Sequence, residues 1–389
     1  MTESGMFLYP WDMASDPEGF LRKYIGLGCD CVVLNCAYHH CSILDTSLRH
    51  VYENRDAGTS FAFHAERYGR IRPHLQKDFT QQIAMFRELC SQNRIRFKVW
   101  VVNSHNTTVG EEHPEACVQN VWGDVYSYSL CLNHPDVQEY LCALTEDVIQ
   151  TAAPESMVME AVTWLPAFHG RHHEFALARV TPAIRYLLSL CFCGHCMKKA
   201  EARGIDAAKV KQTVSGLLDA LLKGDTTFGK NEQTQLMNIF LEFPDLYAYQ
   251  QMRMDSVRDL VGRTSERAHA LGVKYEMISL STPFEVNSTC YEGTSYGKLA
   301  PLVDVFVPLV YQPEERFHAV QANIRMFAPD AAVAMGINLG RERYSGAEDF
   351  IGRIADAAQA GASSVYYYNY GMATEECRSW VKRANELLK

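Results

Sequence analysis

The feature that most constrains this chain is an alternation of strand-like and helix-like segments that repeats eight times from end to end. Short apolar runs recur at residues 6–12, 29–37, 97–102, 157–162, 273–280, 305–311, 332–337 and 364–368. Between them lie stretches with apolar residues three and four apart, such as Ile83, Phe86 and Cys90 in a helix expected over 79–93. Strands that are apolar on both faces and separated by helices imply a parallel sheet covered by helices. Eight such units fit an α/β fold of the closed (β/α)8 TIM-barrel kind, in one barrel domain over residues 1–389. An open doubly wound sheet is the competing architecture, but no Gly-rich phosphate loop follows the first strand. Asp16-Pro17 reads as a helix start, and Ser345-Gly346-Ala347-Glu348 as a capping box.

The lengths of the connections point to the working face. Helix-to-strand connections are short, whereas strand-to-helix connections after strands 2, 3 and 4 are long, at about 41–76, 104–133 and 165–245. All three leave the C-terminal ends of the strands, where this fold carries its sites, so they are expected to form the walls of one pocket. Within the third, residues 205–222 have the spacing of an amphipathic helix. With 37 basic against 46 acidic residues, a net charge of −9 argues against nucleic acid as a partner. No segment is long and apolar enough for a membrane span, and the first residues lack the basic region of a signal peptide. Thirteen cysteines, an odd number in a long chain, suit reduced thiols and a cytoplasmic location rather than a disulfide framework. A homo-oligomer is left open.

The densest local motif is Cys191-Phe192-Cys193-Gly194-His195-Cys196, three thiols within six residues. It suits a soft, tetrahedral cation such as Zn2+, with His195 one candidate for the fourth ligand. No organic cofactor is expected.

A run of features in fixed order resembles the glycoside hydrolase family 42 β-galactosidases and related bacterial glycosyl-hydrolase-like barrels. In those, a Cys-Pro-Asn-x-Pro segment precedes the third helix, the fourth strand ends in a catalytic Glu, and Cys-x-Cys-x-x-Cys follows. Here the order is Cys131 to Pro135, then Met159-Glu160, then Cys191, Cys193 and Cys196, convincing over about residues 95–200. The resemblance implies Cys131 as fourth ligand of a structural zinc clamp and Glu160 as acid/base. Two departures stand out. The family's Asn before the Glu is Met159 here, and the seventh strand, ending Ile337-Asn338-Leu339-Gly340, lacks the family's nucleophilic Glu.

Glycoside hydrolysis uses two carboxyl groups. Glu160 closes an apolar strand, a costly place for a charge unless it faces a polar site. For its partner the order of preference is Glu276 inside the fifth strand, Asp12 behind Trp11 at the end of the first, and Glu342 in the loop after the seventh. Strand ends also carry groups suited to a polyhydroxylated ligand: Trp11, Asn35, Tyr38, His39, Asn103, His105, Trp164, Asn338 and Tyr368. Tyr311 resembles the family tyrosine that touches the nucleophile. His172 and His173, in a histidine-rich loop after the fourth strand, join them. The expected function is hydrolysis of a carbohydrate or glycoside. A metal-dependent sugar isomerase, epimerase or lyase using the histidines and Glu276 is the alternative, and a non-enzymatic sugar-binding barrel the third reading.

Overall fold

The computed structural model describes residues 2–46, 52–169, 180–223, 232–279, 289–312 and 316–389. Its centre is a ring of parallel strands: β1 (Glu3–Leu8), β2 (Cys31–Tyr38), β3 (Arg96–Val102), β4 (Ser156–Glu160), β5 (Lys274–Ser279), β6 (Val305–Pro308), β7 in two pieces (Ala332–Val333 and Met335–Asn338) and β8 (Ser364–Tyr368). Each strand pairs with the next in sequence, and β8 pairs with β1. The first piece of β7 pairs with β6 and the second with β8, and a Leu309–Gly336 bridge ties that second piece to the segment after β6, which closes the ring. This is the expected (β/α)8 barrel.

Helices α1 (Pro17–Ile25), α2 (Thr80–Gln92), α3 (Pro135–Ala152), α4 (Pro244–Ala270), α5 (Tyr296–Leu299), α6 (Phe317–Phe327), α7 (Ala347–Gln359) and α8 (Glu375–Leu388) join one strand to the next or, for α8, follow the last. Local chemistry sets their ends. Pro17 opens α1 while the Asp16 carboxylate accepts from the Gly19 amide at 2.9 Å. Gly272, at φ 74°, turns the chain out of α4 into β5, a conformation that only glycine adopts without cost. The Ser345 capping box does not form: Gly346 is the cap residue, and the Ser345 amide and hydroxyl both bind Asp349 (3.0 and 3.2 Å).

Two strand boundaries matter for the site. β1 ends at Leu8, earlier than expected, because Pro10 begins a short helix, Pro10–Met13. Asp12 therefore sits on that helix rather than on a strand end. β4 stops at Glu160 because Ala161 takes φ 54°, an uncommon value for a residue with a Cβ. The Asn103 and Ser104 amides hold that turn by donating to the carbonyls of Glu160 (3.0 Å) and Ala161 (2.8 Å).

The long connections carry structure of their own. Hairpins Cys41–Leu44/Tyr52–Arg55 and Cys117–Gln119/Val125–Leu130 stand after β2 and β3. Helices Pro182–Leu188, Gly194–Glu201, Ala207–Lys223 and Glu232–Glu242 follow β4. Side chains including Ile184, Leu187, Phe192, Val214, Leu218 and Tyr249 form a second apolar cluster there, separate from the barrel core. The segment after β4 thus has a core of its own, and Cys191 and Cys193 pack in the barrel core while Phe192 between them belongs to the second cluster.

Candidate active site

Side chains two apart on a strand share a face, so the barrel interior is filled in layers. In the lower layer Lys98 of β3 reaches across the barrel to Glu3 (2.8 Å), Glu276 (2.8 Å) and the Tyr366 hydroxyl (2.6 Å). Glu276 also accepts from Ser156 (2.7 Å) and Tyr366 (2.6 Å), and Ser364 donates to Glu3 (3.0 Å). Burial alone would favour loss of the Lys98 proton, but the surrounding Cys31, Glu276, Tyr366 and Glu3 groups outweigh it and lift its pKa above the ordinary lysine value. Glu276 is thus fully engaged in this lower network.

Two residues further along β3, Trp100 points into the next layer. Its indole is boxed by Phe7 (ring centroids 5.0 Å), Tyr38 (4.9 Å), Tyr9 (5.8 Å) and Tyr368 (5.9 Å), and its N–H donates to Glu160 Oε2 at 2.7 Å. Burial pushes the Glu160 carboxyl up to about 7, opposed by the Trp100 bond alone; among the described residues no cation or second carboxylate adds to the shift. The hydroxyls of Tyr9 and Tyr38 each lie within bonding distance of the Tyr368 hydroxyl, at 3.2 and 3.1 Å. The Tyr311 ring stands 5.9 Å from that of Tyr368. Burial first, then neighbours that include Glu160, raise the pKa of Tyr38, Tyr311 and Tyr368, so all three hydroxyls are neutral. Among the described residues Glu160 thus sits in a cage of aromatic rings and neutral hydroxyls.

The other expected site residues divide between cage and scaffold. Asn103 donates to the Glu160 carbonyl at 2.8 Å, and Asn35 donates to the carbonyls of Ala37 and Trp100, so both amides secure the backbone beneath the mouth. Asn338 accepts from the Gly340 amide (2.7 Å). Trp164 is 1% exposed, its N–H donating to the Arg253 carbonyl, which makes it a packing residue in this arrangement. Trp11 lies between the stacked Tyr9 ring (4.4 Å) and the Arg55 guanidinium (3.7 Å). Asp12 accepts from the Tyr9 amide (2.8 Å); burial raises its carboxyl to about 8 against that bond, with nearby Asp45 adding to the rise. Both Asp12 and Asp45 approach Gly371, where a Cβ would meet their oxygens at 2.5 and 2.8 Å. Glu342 stays at the rim with its side chain 78% exposed.

His39 stacks on Tyr38 (4.1 Å) and on His105 (4.2 Å), whose ring meets that of His169 at 4.7 Å. Burial lowers His39 to about 4 and His105 well below the ordinary histidine value, so both rings are neutral at pH 7. His172 and His173 lie outside the described residues.

Solved structures place this architecture. No protein-family model and no curated protein matches the chain. The glycoside hydrolase domain of PgaB (BpsB) from Bordetella bronchiseptica superposes with TM-score 0.60 at 10% identity, covering 100% of this chain and 98% of that one. The catalytic domain of beta-amylase from Paenibacillus polymyxa gives TM-score 0.60 at 8% identity, over 100% and 99%. Alpha-L-fucosidase isoenzyme 2 from Paenibacillus thiaminolyticus gives 0.58 at 10%, over 100% of this chain and 49% of that chain, so this chain spans about half its length. The barrel is one that glycoside hydrolases use. At these identities the likeness is one of fold, and the narrower resemblance to family 42 rests on the motif residues alone.

The cysteine motif comes together as expected. Cys131, Cys191, Cys193 and Cys196 are all buried, with sulfurs within 4.8 Å of one another. Cys131 Sγ lies 3.5 Å from those of Cys193 and Cys196 and 3.9 Å from that of Cys191. A tetrahedron with metal–sulfur bonds of about 2.3 Å has edges of about 3.8 Å, so the set fits such an ion. The Gln119 amide and the Asn133 carboxamide donate to Cys191 and Cys196 sulfurs (3.5 and 3.3 Å), the outer contacts a thiolate site wants. His195 instead packs its ring 4.4 Å from His134. Among the described residues this is the one group of three or more His, Cys, Asp or Glu side chains whose ligand atoms converge.

The sequence reading missed Trp100, Tyr9 and Asp45. Trp100 carried a signal: Lys98 and Trp100 alternate in an otherwise apolar strand, the pattern of two inward-facing functional layers.

Proposed function

We propose that this chain is a glycoside hydrolase acting on a carbohydrate or glycoside, with Glu160 as its general acid. The observation that carries the reading is a carboxyl at the C-terminal end of β4 whose pKa is pushed up to about 7, with one hydrogen-bond donor and no counter-charge among the described residues. Such a group still carries its proton near neutral pH, as protonation of a leaving-group oxygen requires. The proton passes from Glu160 to the glycosidic oxygen as the C–O bond breaks, and a second carboxyl completes the reaction at the anomeric carbon, either as base for the attacking water or as nucleophile displaced by water in a second step. The aromatic cage offers ring faces and hydroxyls to a neutral sugar. Asp12, beside Asp45, is another ionisable carboxyl on the same side of the barrel, whereas Glu276 is bound to Lys98. The ligand atoms of His39, His105 and His169 do not converge on one point, so among the described residues the isomerase-type reading has no metal site.

The four cysteines would hold a structural zinc that joins the segment after β3 to the one after β4, supplying a closed cross-link and no reaction step. A cytoplasmic location accords with cysteines that form no disulfide among the described residues. No helix among them is long and apolar enough to cross a membrane.

The test of the hydrolase reading is Glu160→Gln assayed on aryl glycosides of graded leaving-group ability. Turnover on poor leaving groups should fall by roughly 10²–10⁴-fold, and far less on activated ones. Equal losses on both would assign Glu160 a different role. For the clamp, metal analysis should find about one zinc per chain that survives mild chelation. Cys193→Ser should lose it and melt several degrees lower; metal loss without a change in melting would refute the clamp.

A further inference from the structure

We propose that Trp100 is the positioning residue of this site: its indole N–H fixes which oxygen of Glu160 carries the transferable proton. The inference rests on the reading of Glu160 as the acid and adds how the acid is aimed. An indole nitrogen donates and never accepts. Glu160 Oε2, 2.7 Å from Trp100 Nε1, is therefore an acceptor whether the carboxyl is ionised or not. The carbonyl-type oxygen of a neutral carboxyl is its stronger acceptor, so this bond places the proton of the neutral acid on Oε1.

Neither partner is free to exchange these roles. Four rings box the indole, and the Asn35 amide holds the Trp100 carbonyl at 3.4 Å. On the other side, the Glu160 carbonyl accepts from both the backbone and side-chain amides of Asn103. Among the described residues the titratable groups that face Glu160 are the hydroxyls of Tyr38 from β2, Tyr311 after β6 and Tyr368 from β8, all neutral; Arg343 acts on Tyr311 rather than on Glu160. The indole is thus the group that favours the ionised carboxylate over the acid, against burial. Removing its N–H should raise the pH at which Glu160 loses its proton and free the carboxyl to rotate.

Infrared difference titration of the protonated carboxyl, with Glu160→Gln as the blank, reads this without any substrate. Trp100→Phe keeps a ring in the box and deletes the donor. A hydrogen bond to a charged group is strong enough to set an expected upward shift of the midpoint by about one to two pH units. If the phenylalanine variant does not fold, benzothienylalanine at position 100, with sulfur in place of N–H, preserves the shape. In active variants kcat on poor leaving groups should fall while KM stays close to its original value. A midpoint unmoved by loss of the N–H overturns the inference, and so does Tyr38→Phe moving it as far. If the midpoint moves with Trp100 but no glycoside is turned over, the hydrolase reading falls and the positioning role stands. Graded turnover with an unmoved midpoint is the reverse.

Discussion

Two carboxyl groups enter the barrel interior from adjacent strands, Glu160 from β4 and Glu276 from β5, and their surroundings differ in every respect that sets a proton's fate. Glu276 opposes Val158 in the strand register, two residues or roughly 7 Å of strand below Glu160. At that level it meets a lysine, a serine and a tyrosine hydroxyl. Among the described residues Glu160, at the top, meets one indole N–H and uncharged rings. Burial beside a lysine that bonds it ties a carboxyl into the scaffold; burial with a single neutral donor keeps it an acid and makes it available for chemistry. The comparison separates two glutamates that look alike in a sequence, since each is an acid in an apolar strand.

The largest effect that would sharpen this contrast is expected at the lower level. Lys98→Met leaves Glu276 and Glu3 buried without their shared cation, and loss of one partner from such a network costs about 3–5 kcal/mol. Denaturant unfolding should show that loss, with the infrared midpoint of Glu160 unmoved. A change under about 1 kcal/mol, or a shifted Glu160, would mean that the two layers are not independent.

How much of this was legible beforehand follows from the same physics. The barrel was readable because apolar strands and amphipathic helices impose periods of two and 3.6 whatever their neighbours. The cysteine cluster was readable because its three downstream ligands are close in sequence, and Cys131 was reached through motif order. Glu160 was readable as an acid at a strand end. The engagement of Glu276 by Lys98 was not legible because the lysine lies 178 residues away, on β3, and only the closed ring brings the two together. Trp11 and Trp164 looked like open platforms because a sequence does not reveal what covers a ring: Arg55 lies over the first and Arg253 over the second. Asp12 lies on a short helix instead of a strand end because Pro10, with its fixed φ, opens that helix at its first position.

The smaller effect is also the most direct test of the central claim, that Glu160 is a neutral acid near pH 7. A carboxyl whose folded pKa is about 7 against about 4.3 unfolded keeps its proton longer in the native state. Stability therefore falls as pH rises from about 4.3 to about 7, and levels off above that. Glu160→Gln has no such proton to lose. Unfolding free energies of both proteins should be measured from pH 4 to pH 8. The variant's advantage over the parent should grow across that range by roughly 3 kcal/mol, nearly all of it between pH 4.3 and 7. Two parallel curves would show that Glu160 ionises alike in folded and unfolded chains, and the account of this site would fail.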